Sequence, residues 1–396
     1  MNVELLAPAG SFEGLKTALC FGADAVYCGG PMLQLRAGSS SFSFDGLKKA
    51  VDYTHSLGKK LYVTVNCFAN NDEIPLVGAY GAELLEIGVD AVIVSDLGVL
   101  AELREKCPSL EVHISTQANT QNYKTIEMWH SLGAKRVVLG REMTMTEIER
   151  LKGNIPSDCE IEVFVHGAMC MAYSGRCLLS SFMNNRSGNR GQCSQPCRWN
   201  YYLVEEKRQN MFIPVIEEAG ATAVLSSTDL KSISFLDRLA DAGVTSFKIE
   251  GRMKSPYYVA TVVNAYRKFM DGAATLEQCE NELDCVSHRP YSAGFYFGEA
   301  KASPENDGLY RQSCSFIGIV LEEKPDGTYI VEMRNRFKKG DVLEILSPRS
   351  IGEKTTVLGI VGEDGAEKDE AILVQENVTV YCDKKLLVGD MLRKRI

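Results

Sequence analysis

Four cysteines lie in one polar stretch of the chain, from His166 to Trp199, with the spacing C-x6-C, fifteen residues, then C-x3-C: Cys170, Cys177, Cys193 and Cys197. Structural zinc sites usually use C-x2–4-C pairs, so the first pair is too wide for one and the second is marginal. Iron–sulfur clusters take thiolates at irregular spacings, so the pattern suits a cluster at least as well. We therefore predict a metal centre on these cysteines, with zinc or a buried or redox thiol pair as alternatives.

The same stretch is basic, although the whole chain carries a net charge of -9. Between Val163 and Val204 there is no acidic residue, and four arginines occur there: Arg176, Arg186, Arg190 and Arg198. The aromatic residues between them are Tyr173, Phe182, Trp199 and Tyr201. Arginines bind phosphates and aromatic rings stack on unpaired bases, so we predict that the four arginines bind RNA. Alternatively, they offset the negative charge of a thiolate-bound cluster.

A repeated unit positions this stretch. In the first part of the chain, apolar runs alternate with amphipathic helical patterns, several of which end in glycine, at Gly22, Gly58, Gly88 and Gly133. Eight such runs, from "ELLAPAG" to "SFKIEGR", predict a parallel (β/α)8 barrel, with a doubly wound open sheet as the alternative. Residues 168–221 form a Cys/Arg-rich insertion between the seventh and eighth runs, where a barrel has a loop at its catalytic end.

Polar residues follow the last strands, and in a barrel the ends of the strands carry the chemistry. The segment "KIEGRMKS" contains Lys248, Glu250, Arg252 and Lys254, and the strand period directs Lys248, Glu250 and Arg252 to one face. His166 ends the seventh run. We predict that Glu250, Arg252, Lys254 and His166 are catalytic, the alternatives being an internal ion pair and a core histidine.

From about residue 313 the pattern changes to a period of two with tight Gly/Asp turns, which predicts a small antiparallel β-barrel. The predicted strands include "AILVQE" at residues 371–376. We therefore predict three parts: a barrel domain at 1–300, a linker at 301–312 and a C-terminal domain at 313–396.

Composition limits the function. Hydrophobic residues make up 45% of the chain and charged residues 24%, as in ordinary globular proteins, and no apolar run is long enough to span a membrane. The amino terminus has no basic n-region, so we expect a cytoplasmic protein whose thirteen cysteines, such as Cys20, are mostly buried thiols. No H-E-x-x-H, G-x-S-x-G or P-loop motif occurs.

The segment "EVFVHGAMCMAYSGRCLLSSFMNNRSGNRGQCSQPCRW" closely resembles the signature of the peptidase U32 family, the collagenase-like peptidases, and so do "LLAPAGSFEGLKTAL", "SFKIEGRMKSPYYVATVVNAYRKFMDG" and "HRPYSAGFYFG". The resemblance covers essentially the whole chain. It is greatest to members that make 5-hydroxyuridine at the tRNA wobble position without oxygen, depending on prephenate and on iron–sulfur biogenesis. Other members hydroxylate a 23S rRNA cytidine or a ubiquinone precursor. The resemblance thus implies a cytoplasmic tRNA hydroxylase with prephenate as co-substrate; the alternatives are a peptidase and a non-catalytic RNA-binding subunit that carries a cluster.

The resemblance also implies a [4Fe-4S] cluster on Cys170, Cys177 and Cys193, with Cys197 the nearest fourth ligand. Many relatives have a further cysteine after the insertion, where this chain has Lys231 in "SSTDLK". Either Cys197 supplies the fourth thiolate, or one iron has no cysteine ligand, or the cluster binds weakly.

Overall fold

The computed structural model describes residues 1–35, 41–170, 172–199, 202–204, 212–214, 228–298 and 310–396, with only the backbone described at Arg198, 202–204 and 212–214. Tyr201 therefore lies outside the described residues. So do most of the predicted linker at 301–312 and much of the insertion. The chain forms two compact units. The first contains Met1–Leu19, Ala23–Lys254 and Arg289–Tyr310, and the second contains Cys20–Gly22, Ser255–His288 and Arg311–Ile396.

The first unit is built on a parallel β-barrel. The strands of this unit are β1 Glu4–Pro8, β2 Ala25–Gly29, β3 Lys60–Val65, β4 Ala91–Val94, β5 Glu111–Ile114, β6 Arg136–Val138, β7 Glu160–Ala168, β8 Tyr202–Val204, β9 Phe212–Pro214, β10 Asp229–Lys231, β11 Ser246–Ile249 and β12 Tyr291–Ser292. Strands β1 to β7 pair in chain order, and β11 pairs in parallel with both β7 and β1. This closure confirms the (β/α)8 prediction over the open-sheet alternative.

Helices alternate with these strands. They are α1 Phe12–Cys20, α2 Phe44–Ser56, α3 Ile74–Ile87, α4 Leu97–Lys106, α5 Tyr123–Ser131, α6 Met145–Glu149, α7 Leu179–Asn184 and α8 Leu236–Asp241. Side-chain caps fix where several begin: the Asp96 carboxylate accepts hydrogen bonds from two amides of α4, and Thr144 and Glu147 form a capping box at α6. The glycines predicted to end helices have positive φ, such as 94° at Gly88.

Two short strands extend the barrel wall beyond what the sequence predicted. Strand β10 runs antiparallel to β7, with Lys231 opposite His166, and β12 pairs in parallel with β10. Arg289 and Asp229 hold them together through a buried ion pair of 2.7 Å. The chain between the seventh and eighth barrel strands therefore returns along β7 before it enters the barrel again.

The barrel interior contains a buried charge cluster. Lys248 donates to Glu162 at 2.7 Å, and Arg136 contacts both Glu162, at 3.1 Å, and Glu4. Glu162 is fully buried. Burial alone would raise the pKa of Glu162, but Lys248 and Arg136 outweigh it and lower that pKa to about 2. Lys248 is thus a structural ion-pair partner of Glu162.

Replacing Glu162 by glutamine is expected to lower the free energy of unfolding at neutral pH by about 3 kcal/mol, because Lys248 and Arg136 would lose a buried partner. The lowered pKa means that the Glu162 carboxylate stabilises the fold above its unfolded pKa, near 4.5, and that this stability is lost as pH falls towards 2. Denaturant unfolding at several pH values should show a shallower acid decline for E162Q. An exposed control, Glu105→Gln, should match the wild type. An unchanged acid decline in E162Q would contradict this assignment.

The second unit is a closed antiparallel barrel with two helices. Its elements are α9 Pro256–Met270, α10 Leu276–Leu283, β13 Cys314–Glu323, β14 Tyr329–Met333, β15 Phe337–Lys338, β16 Val342–Ser347, β17 Ser350–Val361, β18 Glu367–Lys368, β19 Glu370–Ala371, β20 Asn377–Cys382 and β21 Met391–Arg395. The barrel closes through β13, β14, β20, β17, β16 and β21. Residues 255–288, which we had placed in the first domain, group with this unit, because α9 and α10 pack on β16 and β17.

The predicted strand "AILVQE" is wrong. Only Ala371 of this segment lies in a strand, where it pairs with Phe337. Ile372, Leu373 and Val374 lie in an exposed turn, which an apolar run cannot reveal because its composition alone resembles that of a buried strand. Among the described residues, every helix is too short or too polar to cross a bilayer.

Candidate functional site

Glu250 lies directly after β11, at the carboxyl end of the barrel. Its carboxylate accepts a hydrogen bond from the Tyr27 hydroxyl at 3.2 Å, and that hydroxyl also lies 3.0 Å from the carbonyl oxygen of Ile249. The guanidinium of Arg141 is 4.0 Å from the same carboxylate oxygen. Burial, followed by the nearby Glu250 charge, raises the pKa of Tyr27 well above its usual value. Tyr27 is therefore a permanent donor that orients Glu250.

Arg141 is held rigidly above the barrel. Its guanidinium lies 3.9 Å from the centre of the Phe164 ring, and it donates to the carbonyl oxygen of Ala168 at 2.7 Å. A stacked and hydrogen-bonded arginine loses little further freedom when it binds an anion. Arg141 is thus a preorganised cation beside Glu250.

Arg252 points into the barrel and is almost fully buried. It donates to the Thr64 hydroxyl at 2.7 Å, and it lies beside the Gln34 side chain over Gly29. A β-carbon at Gly29 would come within 2.9 Å of the Arg252 guanidinium and closer still to the Gln34 amide oxygen. Glycine at this position therefore allows both side chains to approach the end of β2.

Several buried polar atoms around this opening have no hydrogen-bond partner among the described residues. They are the amide oxygens of Gln34 and Asn66 and the Nε of Arg141. Burying such a group without a partner costs free energy, so native proteins usually pair it with protein, water or a ligand. Together with the two arginines, these atoms form a set of donors and acceptors suited to a small anionic or amide-containing substrate.

His166 lies on β7, almost fully buried, with its ring centre 5.5 Å from that of Tyr291 on β12. Lys231, opposite His166 in the strand pairing, has its ammonium 5.1 Å from the centre of the same tyrosine ring. Lys254 is half-buried, and its ammonium lies 5.2 Å from the Tyr310 ring centre. The four residues predicted to be catalytic thus all follow or line β7 and β11, and their roles stay a prediction.

We use the term mouth set for the polar side chains at this end of the barrel: Tyr27, Gln34, Thr64, Asn66, Arg141, Glu250 and Arg252. The sequence analysis identified Glu250 and Arg252 of this set, but it missed Tyr27, Gln34 and Thr64. Tyr27 and Thr64 lie within apolar strands. The only sign in the sequence that they belong to a site was a polar side chain in an otherwise apolar run.

The insertion is docked onto loops at the same end of the barrel. Arg190 pairs with Glu73, just before α3, at 2.7 Å and donates to the carbonyl oxygen of Phe68, after β3, at 2.7 Å. The Ser174 amide donates to Glu142, after β6, at 2.8 Å. Gly191 has a φ of 80°, and a β-carbon there would come within 2.7 Å of the Gln34 carbonyl oxygen, after β2. Three different barrel loops therefore position the cysteine-bearing segment.

Replacing Arg190 by alanine is expected to loosen this docking, because it removes three hydrogen bonds to Glu73 and Phe68. Limited proteolysis within residues 172–199 should be at least about fivefold faster, since cleavage follows local opening, and a loss of ~1 kcal/mol changes the open population by that order. Arg186, exposed on the same segment, provides the matched control R186A. Equal cleavage of R190A and the wild type would contradict a docking role.

The four cysteines of the insertion lie along this docked segment. Cys170 is exposed, the other three are partly exposed, and no disulfide joins them. The backbone amide of Gln195 donates to the Cys193 sulfur at 3.4 Å. Among the described residues, no three of these sulfurs lie within 4.8 Å of one another. Thiolates on one tetrahedral zinc ion lie ~3.8 Å apart, so three of these sulfurs are too far apart to bind one zinc ion. Four cysteines that are at least partly exposed can supply the thiolates that an iron–sulfur cluster uses, so their chemistry and exposure fit such a group.

The outer face of the insertion is apolar and basic. Phe182 is 88% exposed, Tyr173 61% and Trp199 47%, and Arg176 and Arg186 are also exposed. Exposed aromatic rings near exposed arginines are the side chains that bind unstacked bases and phosphates. Of the four predicted RNA-binding arginines, Arg176 and Arg186 are therefore available on this face, Arg190 is engaged with Glu73, and the Arg198 side chain lies outside the described part.

Burial keeps the cysteines nearest the mouth set protonated. It raises the pKa of Cys28 to about 12 and that of Cys67 to about 11, although Arg252 opposes the shift in both and Arg190 does so at Cys67. A catalytic cysteine needs the opposite shift, because the thiolate is the nucleophile. Of the other predicted buried thiols, Cys107, Cys159, Cys279, Cys285 and Cys314 are buried, whereas Cys20 is exposed because it ends α1 on its outer side.

Comparison with known proteins gives one family. The model of peptidase family U32 matches residues 10–306, and that of the family's C-terminal domain matches residues 312–393. The chain is 38% identical to tRNA hydroxylation protein P1 of Bacillus subtilis strain 168, over 99% of this chain and 94% of that protein. It is 35% identical to tRNA hydroxylation protein P of Escherichia coli K12 (87% and 86%) and 34% identical to a collagenase of Porphyromonas gingivalis W83 (76% and 75%).

Proposed function

Because this chain belongs to peptidase family U32, and because its most similar relatives include proteins named for tRNA hydroxylation, we propose that it is an RNA-modifying hydroxylase whose substrate is tRNA. The observation that supports this most is the docking of the insertion. Its exposed aromatic and basic face and its four thiols are positioned by barrel loops next to a set of buried polar groups. One surface can thus hold RNA while the barrel opening binds what reacts with it.

In its finer form, the proposal is oxygen-independent conversion of the wobble uridine to 5-hydroxyuridine, with prephenate as co-substrate. Prephenate carries two carboxylates, and arginine is well suited to bind carboxylates through paired hydrogen bonds. Arg141 and Arg252 are the two guanidinium groups of the mouth set, and Lys231 and Lys254 add positive charge nearby. Glu250, oriented by Tyr27 and Arg141, is placed to accept or return a proton at its carboxylate.

Cys170, Cys177, Cys193 and Cys197 would hold a [4Fe-4S] cluster in this proposal. Such a group, when bound, supplies electron transfer or Lewis-acid chemistry. The protein's own residues would position it: Arg190 and Ser174 hold the segment on the barrel loops, and the Gln195 amide donates to Cys193. The positive charge of Arg176 and Arg186 would also partly balance the cysteine thiolates.

Replacing Arg176 and Arg186 together by alanine is expected to weaken tRNA binding about tenfold and to lower the slope of log affinity against log salt by roughly 2, because each exposed cation neutralises about one phosphate. Binding should be measured by fluorescence anisotropy at several salt concentrations. The charge-matched control is the removal of two exposed lysines on the outer helices, K106A/K124A, which should leave the slope closer to that of the wild type. Equal slopes for the two double variants would contradict this RNA face.

The competing functions are peptide hydrolysis, after the family name and the collagenase relative, and a non-catalytic RNA-binding subunit. The raised pKa values of Cys28 and Cys67 argue against a cysteine nucleophile in the barrel opening. The experiment is a parallel assay of anaerobically purified protein on unmodified tRNA with prephenate, and on denatured collagen. Hydroxylated uridine in the tRNA supports the proposal. Collagen cleavage that is lost in E250Q would replace it with a peptidase, and tRNA binding without turnover would favour the subunit.

A further inference from the structure

Two buried cysteines of the second unit, Cys285 and Cys314, lie with their sulfur atoms 2.9 Å apart. Cys285 follows helix α10, and Cys314 is the first residue of β13. Their side chains are 0% and 1% exposed. Both belong to the second unit, whereas the insertion and the mouth set belong to the first, so the chemistry proposed above does not use them.

The backbone holds these two sulfurs face to face. The amide and the hydroxyl of Ser313 both donate to the carbonyl oxygen of Asp284, at 2.8 and 3.0 Å. A few residues away, His288 and Arg311 exchange two backbone hydrogen bonds, of 3.0 and 2.8 Å. The segments on either side of the thiol pair are therefore fixed side by side, so the contact between the sulfurs does not depend on rotamers alone.

Two arginines, each paired with a glutamate, surround the thiol pair. Arg393, fully buried, donates to Glu344 at 3.1 Å and pairs with Glu282, and Arg395 donates to Glu344 at 2.7 Å. The hydrogen bond with Cys285 lowers the pKa of Cys314, and Arg393 and Arg395 act in the same direction against burial. The pKa of Cys285 is raised, first by the same hydrogen bond and then by burial. The two thiols are thus in direct contact beside two arginines, and the thiolate form of either one is the species that reacts with an oxidant.

A metal ion is the alternative, because the two sulfurs and a Glu344 oxygen lie within 4.8 Å of one another. Two thiolates on one tetrahedral zinc ion would be ~3.8 Å apart, farther than these sulfurs are. Glu344 is also already engaged by two guanidinium groups, which a bound cation would have to displace. The geometry therefore fits a dithiol better than a metal site.

We propose that Cys285 and Cys314 form a redox-active dithiol that a small peroxide converts into a disulfide. The Cys314 thiolate attacks one peroxide oxygen, the O–O bond breaks, and the leaving hydroxide takes up a proton to become water. Cys285 then attacks the Cys314 sulfenic acid: the S–S bond forms, the S–O bond breaks, and the second hydroxide leaves as water with the proton of Cys285. The two sulfurs lose two electrons and the peroxide gains them. Burial selects a small oxidant over a bulky disulfide. The proposal is independent of the proposed RNA chemistry.

The disulfide would close a defined part of the chain. The chain leaves the second unit after His288 and returns to it at Arg311. Cys285 lies just before the first of these residues in the chain, and Cys314 lies just after the second. Crosslinking there reduces the entropy of the unfolded chain, so oxidation is expected to raise the Tm of the second unit by roughly 5–10 °C. Reduction should reverse the shift.

The test uses the purified full-length protein, treated with hydrogen peroxide, alkylated and digested for tandem mass spectrometry. We expect a linked peptide joining Cys285 to Cys314, together with the rise in Tm, and loss of both in C285S and in C314S. The matched control is Cys279→Ala, which removes another fully buried thiol of α10 and should leave the link intact.

Peptide mapping separates this pair from the insertion cysteines, and the wild-type measurement requires no variant to fold. The proposal is overturned if exposed Cys20 and Cys170 become oxidised while Cys285 and Cys314 stay unlinked. It is also overturned if the untreated protein carries about one zinc ion per chain that C314S lacks, because the pair would then be a metal site.

Discussion

Replacing Arg252 by glutamine is expected to lower the rate of tRNA hydroxylation at least about 100-fold, because it removes a buried, preorganised cation from the substrate opening. Arg252 is 4% exposed, and its guanidinium donates to the Thr64 hydroxyl at 2.7 Å. Because this position is buried, a neighbouring cation cannot take the place of the guanidinium. Glutamine keeps polarity but removes the charge that binds a carboxylate. The measurement is 5-hydroxyuridine formed per protein under anaerobic conditions, across a range of prephenate concentrations.

Two further variants separate a binding role from a folding role. Arg252→Lys keeps the charge but loses the paired geometry, and it should be intermediate. Thr64→Val leaves the arginine in place without its hydroxyl partner, and it should cost about tenfold or less. Arg238→Gln, which removes an exposed arginine paired with Glu149, is the matched control and should be fully active. A folded R252Q protein with wild-type turnover would remove Arg252 from the site.

Replacing Cys193 by alanine is expected to reduce iron and acid-labile sulfide in the anaerobically purified protein at least about tenfold, because the loss of one thiolate ligand destabilises a bound cluster. The Cys193 sulfur accepts a backbone hydrogen bond from Gln195. Iron, sulfide and visible absorbance should be measured together, so the result does not depend on enzyme activity.

Cys20→Ser is the control for this experiment, because Cys20 is an exposed thiol outside the insertion. Its iron content should equal that of the wild type. Cys197→Ala addresses the fourth ligand: a loss as large as that of C193A would identify Cys197, whereas a smaller loss would indicate an iron without a cysteine ligand. If the wild type contains no iron, or if C193A retains all of it, the cluster assignment fails.

The barrel could be predicted because the sequence signals for its strands and helices are local. Each strand is a short apolar run with both faces buried, and helices end where glycine takes a positive φ, as at Gly88. Strands β10 and β12 are only three and two residues long, and the ion pair that stabilises them joins Asp229 to Arg289. Such a pair, sixty positions apart, leaves no periodic trace in one sequence.

The site could be predicted only in part for the same reason. Glu250 and Arg252 follow a strand end, which sequence alone locates, whereas Tyr27 and Thr64 become their partners only after β11 pairs with β1 and closes the barrel. Lys248 was grouped with them by strand period, but its partner Glu162 lies within the barrel interior. The docking of the insertion by Arg190 on Glu73 is likewise a contact between distant segments, whereas the sequence analysis predicted for Arg190 either RNA binding or charge balance for a cluster.

The central claim is that this chain hydroxylates RNA, and nucleoside mass spectrometry tests it most directly. Total tRNA should be compared from a strain that lacks the gene, from the same strain expressing the wild-type chain, and from the same strain expressing R252Q. We predict that 5-hydroxyuridine and nucleosides derived from it disappear in the deletion strain, return with the wild-type chain and stay absent with R252Q. An unchanged tRNA nucleoside profile in the deletion strain would contradict the account.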